Sequence, residues 1–134
     1  VAITLTSGWN LVNSPLQAET PSVASVLGTQ LANTISIWKW EGNQWAVSLP
    51  NDLSGDDGEA YANSKNFSQL TELKAGEGFW LNLKEAGQLT LSGQYQAGTK
   101  VPLLAGWNLV GLKGQQGAKV DDIQADTGLQ VVSI

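Results

Sequence analysis

The chain contains no cysteine, no histidine and no arginine, and each absence removes a class of function. Without Cys there is no disulfide and no thiolate chemistry, and without Cys and His the usual zinc ligands are missing. His is also the commonest general base. Catalysis would fall to paired carboxylates or to a Ser-Lys arrangement, and no motif brings these together. Glu41 and Glu77, each flanking an aromatic turn, are the nearest thing to a carboxylate pair, and the chain is read as a non-enzyme. All cations are Lys, and seven of them leave a net charge of −5. Phosphate backbones are recognised by clustered Arg and Lys, so nucleic acid and anionic membrane surfaces are poor partners. No run approaches the roughly 18 apolar residues of a spanning helix, and no membrane insertion is expected. No basic segment leads into an apolar one, as a secretory signal would require. The chain starts at Val1 without Met, and it is read as a segment of a larger or processed protein.

What is present suits a turn-rich globular domain. Its 134 residues are 42% hydrophobic and 14% charged, with 15 Gly and six Trp. That length buries about two-thirds of the unfolded surface in one core, so residues 1–134 are read as a single domain.

One phrase organises it. Gly8-Trp9-Asn10-Leu11-Val12 recurs as Gly106-Trp107-Asn108-Leu109-Val110, 98 positions later. Val23 and Val120, Val26 and Ile123, and Ile35-Ser36-Ile37 and Val132-Ser133-Ile134 follow at 97 positions. Residues 1–97 form one full period and 98–134 a partial second copy. The second copy is expected to complete the core, closing a barrel or covering a sheet edge.

Alternation places the strands. Ile3 and Leu5 share a face in the first, and Trp9 shares one with Leu11 in the second, so Trp9 is expected in the core and the repeated phrase is read as scaffold. Thr20 as N-cap, Pro21 as first residue, Val23, Val26 and Leu27, and Gly28 as stop predict a two-turn helix. A second helix is predicted around Lys119–Ala125. In Thr34–Trp40, Ile35, Ile37 and Lys39 fall on one face and Trp38 and Trp40 on the other. Trp38 and Trp40 are then either an exposed platform or the floor of a second core layer. Glu41 to Gln44 is a hairpin turn, after which Trp45, Val47 and Leu49 alternate onto the apolar side. Phe67, Leu70 and Leu73 suggest a helical turn or a stapled loop. Phe79, Leu81 and Leu83 face inward, with Trp80 and Asn82 opposite, and Leu89 and Leu91 return as a further hairpin. The fold expected is mainly β, an antiparallel sandwich or barrel of hairpins with two short helices and an internal pseudo-repeat.

Two sites are considered. Asp52, Asp56, Asp57 and Glu59, among Gly55 and Gly58, have the oxygen chemistry for calcium but not the EF-hand spacing, and a solvated loop is the plainer reading. Trp38, Trp40 and Trp80, with Glu41, Asn43, Gln44 and Asn82, combine aromatic planes for the apolar faces of sugars with groups that orient hydroxyls. That combination suits a carbohydrate-binding module whose partner is a polysaccharide or cell-surface glycan. The alternative is a structural or adhesive repeat that contacts other protein modules.

The order Gly-Trp-Asn-Leu-Val, the short Ser-Val helix, Trp-x-Trp-x-Gly-x-x-Trp (Trp38 to Trp45) and Leu-x-x-Gly-x-Gly-Phe-Trp (Leu73 to Trp80) resembles a β-rich module. Such modules occur as tandem or terminal copies in bacterial secreted and cell-surface proteins. The resemblance covers most of the chain and implies a secreted or cell-surface location, with binding or adhesion as the role. The second copy lacks the Trp cluster, so the site is expected once.

Overall fold

The computed structural model describes residues 1–95 and 103–109. The helix predicted at Lys119–Ala125 and the repeated strand ending at Ile134 lie outside these residues. In chain order the strands are β1 (Ala2–Leu5), β2 (Gly8–Asn13), β3 (Leu16–Gln17), β4 (Thr34–Glu41), β5 (Gln44–Ser48), β6 (Ser68–Gln69), β7 (Gly78–Leu83), β8 (Gly87–Thr90) and β9 (Gln94–Tyr95). The helices are α1 (Val23–Leu27) and α2 (Glu59–Lys65), and a 3₁₀ segment, Gly28–Asn33, leads into β4. The fold is mainly β. Its principal sheet runs β2-β7-β4-β5-β6, with two-stranded ladders β1-β8 and β3-β9 beside it, and among the described strands it does not close into a barrel.

The core lies on one face of the principal sheet. Val12, Phe79, Leu81, Leu83, Ile37 and Ala46 point into it from four strands, and Leu5, Leu89 and Leu91 join from the β1-β8 side with Val23, Val26 and Leu27 of α1. At about 25 cal/mol per Å² of apolar surface removed from water, this layer is the main source of folding free energy. The α1 cap falls two residues later than predicted, at Ser22, whose Oγ accepts from the Ser25 amide. The cause is tertiary. Ser22 bridges Glu72, and Leu73 donates to the Pro21 carbonyl, so the chain before Val23 is held extended.

Four further expectations change, most of them because of a partner distant in sequence. First, Ile35 is 46% exposed, because a bulge between Thr34 and Ser36 shifts the register against β7 and turns Thr34 inward instead. Second, β8 does not pair with β7. The turn between them is gripped by Asn33, which takes the Glu85 amide on its Oδ1 and donates from Nδ2 to the Glu85 carbonyl, and β8 crosses to β1. Third, Phe67 to Leu73 is extended, with β6 running parallel to β5. A parallel pair needs a crossover, and α2 supplies it from the end of the acidic loop. Fourth, Trp45 does not face the main core, since Ala46 and Ser48 take that side.

The repeated phrase is the largest correction. Trp9 is 55% exposed, Leu11 57% and Trp107 71%, so neither Trp anchors the core. Asn10 sets this phase. Its Oδ1 accepts from the Thr6 amide at 3.0 Å, and its Nδ2 donates to the carbonyls of Thr6 and Gly8 at 2.9 and 3.1 Å. Asn108 repeats the pattern with Leu104 and Gly106, at 3.0, 2.8 and 3.1 Å. Gly8 and Gly106 hold φ at +81° and +95°, where a side chain is strained. The phrase is therefore one local device written twice, an Asn-stapled loop that turns its Trp outward.

Substitutions separate the two faces. Leu81→Ala should cost about 2–5 kcal/mol in chemical denaturation, whereas Leu11→Ala should stay within about 0.5 kcal/mol. A larger loss at Leu11 would place the core on the other side of the sheet.

Candidate functional site

The outer face of the principal sheet carries the candidate site. Cross-strand partners share a face, and the register aligns Leu11, Trp80, Trp38 and Val47 in one row, with Trp9, Asn82 and Ser36 in the next and Trp40 opposite Trp45. Trp9, Trp38, Trp45 and Trp80 line an open cleft of about 580 Å³. A tight hairpin fixes the Trp40-Trp45 pair. Gly42 and Asn43 have φ of +58° and +61°, the left-handed pair of a two-residue hairpin loop.

One wall is aromatic packing. Trp38 makes edge contacts with Trp45, Tyr61 and Phe67 at centroid distances of 6.0, 6.3 and 5.7 Å, and Trp45 meets Trp40 at 5.2 Å. Such offset geometries add about 0.5–1.5 kcal/mol per pair beyond area burial. The β5-β6 crossover thus lays α2 on the outer face, where Tyr61 holds Trp38. Trp38 is accordingly both floor of a small second core, over fully buried Val47, and base of the cleft.

The indole N–H groups divide in two. Trp38 donates to Ser36 Oγ at 3.1 Å and Trp40 to the Trp107 carbonyl at 2.9 Å. Those of Trp9, Trp45 and Trp80, and the side-chain amide of Asn82, have no protein partner among the described residues. They are donors and an acceptor on an open apolar surface. The second phrase meets the first copy at the edge of this surface, where Gly78 also donates to the Leu109 carbonyl.

Of the residues the sequence proposed, Trp38, Trp40, Trp80 and Asn82 come together on this face. Asn43 is exposed at the hairpin tip. Glu41 and Gln44 pair with one another on the opposite side of β4 and β5. Glu41 lies 2.9 Å from the Lys39 ammonium and Gln44 bonds Ser68, so neither belongs to the cleft. Sequence reasoning does not place Trp9 and Trp45 in the site. Trp45 had a visible signal, its position in Trp-x-Trp-x-Gly-x-x-Trp, while Trp9 depends on the Asn10 staple.

Glu41 and Glu77 do converge, but across a cation. Glu77 stands 2.7 Å from Lys39 Nζ and also accepts the Lys74 amide at 3.0 Å. Burial alone pulls the Lys39 ammonium down, yet its hydrogen bonds to Glu77 and Glu41 and their charges outweigh this and hold it above its ordinary value. The buried amine is thus compensated.

In the acidic loop Ser54 Oγ stands 2.7 Å from both Asp52 and Asp56, which share its single proton, and Asp56 also accepts the Gly58 and Ala60 amides at the start of α2. These carboxylates fold the loop. Among the described residues no three acidic groups, Asp57 and Glu59 included, converge as metal ligands.

Compared with protein-family models, with curated proteins and with solved structures, the chain matches none.

The hydroxyl of Ser54 and the two amides hold the Asp56 carboxyl at about 2, against an ordinary 3.8. A depressed carboxyl stabilises the fold above its unfolded value and loses that contribution as pH falls through the folded one. Between pH about 4 and 2 the start of α2 should loosen and Trp38 should become accessible to acrylamide. Asp56→Asn should remove that part of the acid transition, and an unchanged profile would dissociate Asp56 from it.

Proposed function

We propose that this chain is a non-catalytic carbohydrate-binding module of a secreted or cell-surface protein, with the Trp cleft as its platform. One observation carries the reading. Four indoles from four adjacent strands converge on an open cleft, and three of them present N–H groups without a protein partner among the described residues. The apolar C–H faces of a sugar ring stack on indole planes, while its hydroxyls need donors and acceptors at the margin. Asn82, paired between Trp9 and Ser36, supplies both.

A second reading draws on a different observation. The second copy of the phrase is bonded to Trp40 and Gly78 of the first, which favours a structural or adhesive repeat whose successive copies dock end to end.

Retention by polysaccharides in affinity gels distinguishes them. Trp9→Ala and Trp80→Ala should keep the far-UV spectrum of the parent and weaken retention about tenfold. Trp38→Ala should instead cost stability, toward the lower end of about 3–5 kcal/mol, because its ring packs against Trp45, Tyr61 and Phe67. Absence of retention by every glycan in the panel, with concentration-dependent self-association, would favour the structural repeat.

A further inference from the structure

We infer that the cleft takes an uncharged polysaccharide chain lying across the strands, and that Trp107 of the second phrase extends the contact beyond Trp40. The inference rests on the carbohydrate reading and specifies its ligand.

Charge is the first argument. The outward positions of β2, β7, β4 and β5 that bound the cleft carry indoles, Leu11, Val47 and the neutral polar residues Ser36 and Asn82. No ionisable side chain is among them, although the chain carries a net charge of −5. The charged residues of β4, Lys39 and Glu41, bond each other on the other face. A uronate or sulfate entering the cleft would lose hydration without a cation among the described residues to replace it, which costs several kcal/mol. Among the described lysines, Lys39 is held by Glu41 and Glu77, Lys74 by Glu72, and Lys84 by the Ala32 carbonyl. Lys65 stands at the end of α2, off the strands. Neutral hydroxyls make no such demand, and the free indole N–H groups and the Asn82 amide suffice for them.

Extent is the second argument. Trp9, Trp80, Trp38 and Trp45 stand on four consecutive strands and run diagonally over three successive cross-strand rows, which covers about 14 Å across the strands at ordinary strand spacing. That is a track for several linked sugars rather than a pocket for one. From Trp45 the aromatic surface turns back to its cross-strand partner Trp40 on β4, 5.2 Å away, and the Trp40 N–H holds the Trp107 backbone at 2.9 Å. Trp107 is anchored there by its main chain, between a positive-φ Gly and the Asn108 staple, with its ring 71% exposed. The backbone bonds fix where the indole starts, while its open ring stays free to turn onto a ligand. All six Trp of the chain then belong to one aromatic run.

Calorimetry and affinity electrophoresis of the whole chain test this with neutral xylan, galactomannan and hydroxyethylcellulose against polygalacturonate and alginate, at low and high salt. Binding to at least one neutral polymer, insensitive to salt, with none to the anionic ones is the expected result. Salt-sensitive binding to the anionic polymers alone would overturn the inference while leaving the carbohydrate reading intact. Failure to bind any polymer in either set would count against both. Trp107→Ala should fold as the parent does and weaken binding of the neutral polymer about 3- to 10-fold, with little change for a disaccharide. An unchanged polymer affinity would end the track at Trp40 and overturn the assignment of Trp107. Self-association that buries the face, abolished by Trp9→Ala, would make a second copy of the chain the occupant.

Discussion

The alternation of β7 is the constraint on which the rest depends. This strand is hydrogen-bonded to β2 on one side and β4 on the other, so its phase sets the faces of both. Phe79, Leu81 and Leu83 are almost fully buried, and they cannot be turned outward without losing the core. Trp80 and Asn82 are thereby committed to the opposite face. Because a strand's side-chain period is two, a slip of one residue would exchange the faces entirely. The aromatic surface is thus a consequence of where the core is, and the strongest term in stability also positions the candidate site.

Two secondary devices shape what β7 sets out. The parallel β5-β6 pair requires a crossover, and α2 within it covers one end of the outer face, where Tyr61 and Phe67 steady Trp38. The Asn staples govern the other contribution. By turning their carboxamides onto the preceding loop, Asn10 and Asn108 leave the adjacent Trp with no inward position. Identical words therefore produce the same Asn staple in both copies, at Asn10 and at Asn108. The remaining open area of the described strands is apolar and neutral, and its indole N–H donors at Trp9, Trp45 and Trp80 have no partner among the described residues, the features on which the proposed sugar site rests.

Much of this was legible in the sequence where local chemistry decides the outcome. The faces of β7 follow from Phe79 to Leu83 alone, the hairpin from Gly42-Asn43, and α1 from its Val spacing and Gly28. The mainly β class follows as well. Legibility failed where a distant partner decides. The bulge at Ile35 reflects pairing with β7, the α1 start reflects the bridge to Glu72, and the crossing of β8 to β1 reflects Asn33 gripping the turn. Alternation assigns Trp9 to the core because it shares a face with Leu11, which reads as a buried residue. Hydrophobicity alone cannot show that Val12 holds the inward position and that Asn10 fixes the loop behind it.

The claim at the centre of this account is that the indole face of the sheet is the binding surface. Nitrogen-detected or proton-detected NMR of the six indole N–H groups examines it directly, during titration with a soluble neutral oligosaccharide. The account predicts large shifts and slowed water exchange at Trp9, Trp45 and Trp80, with Trp38 scarcely moved because Ser36 already holds it. Indole signals that stay still while shifts gather elsewhere on the chain would contradict it.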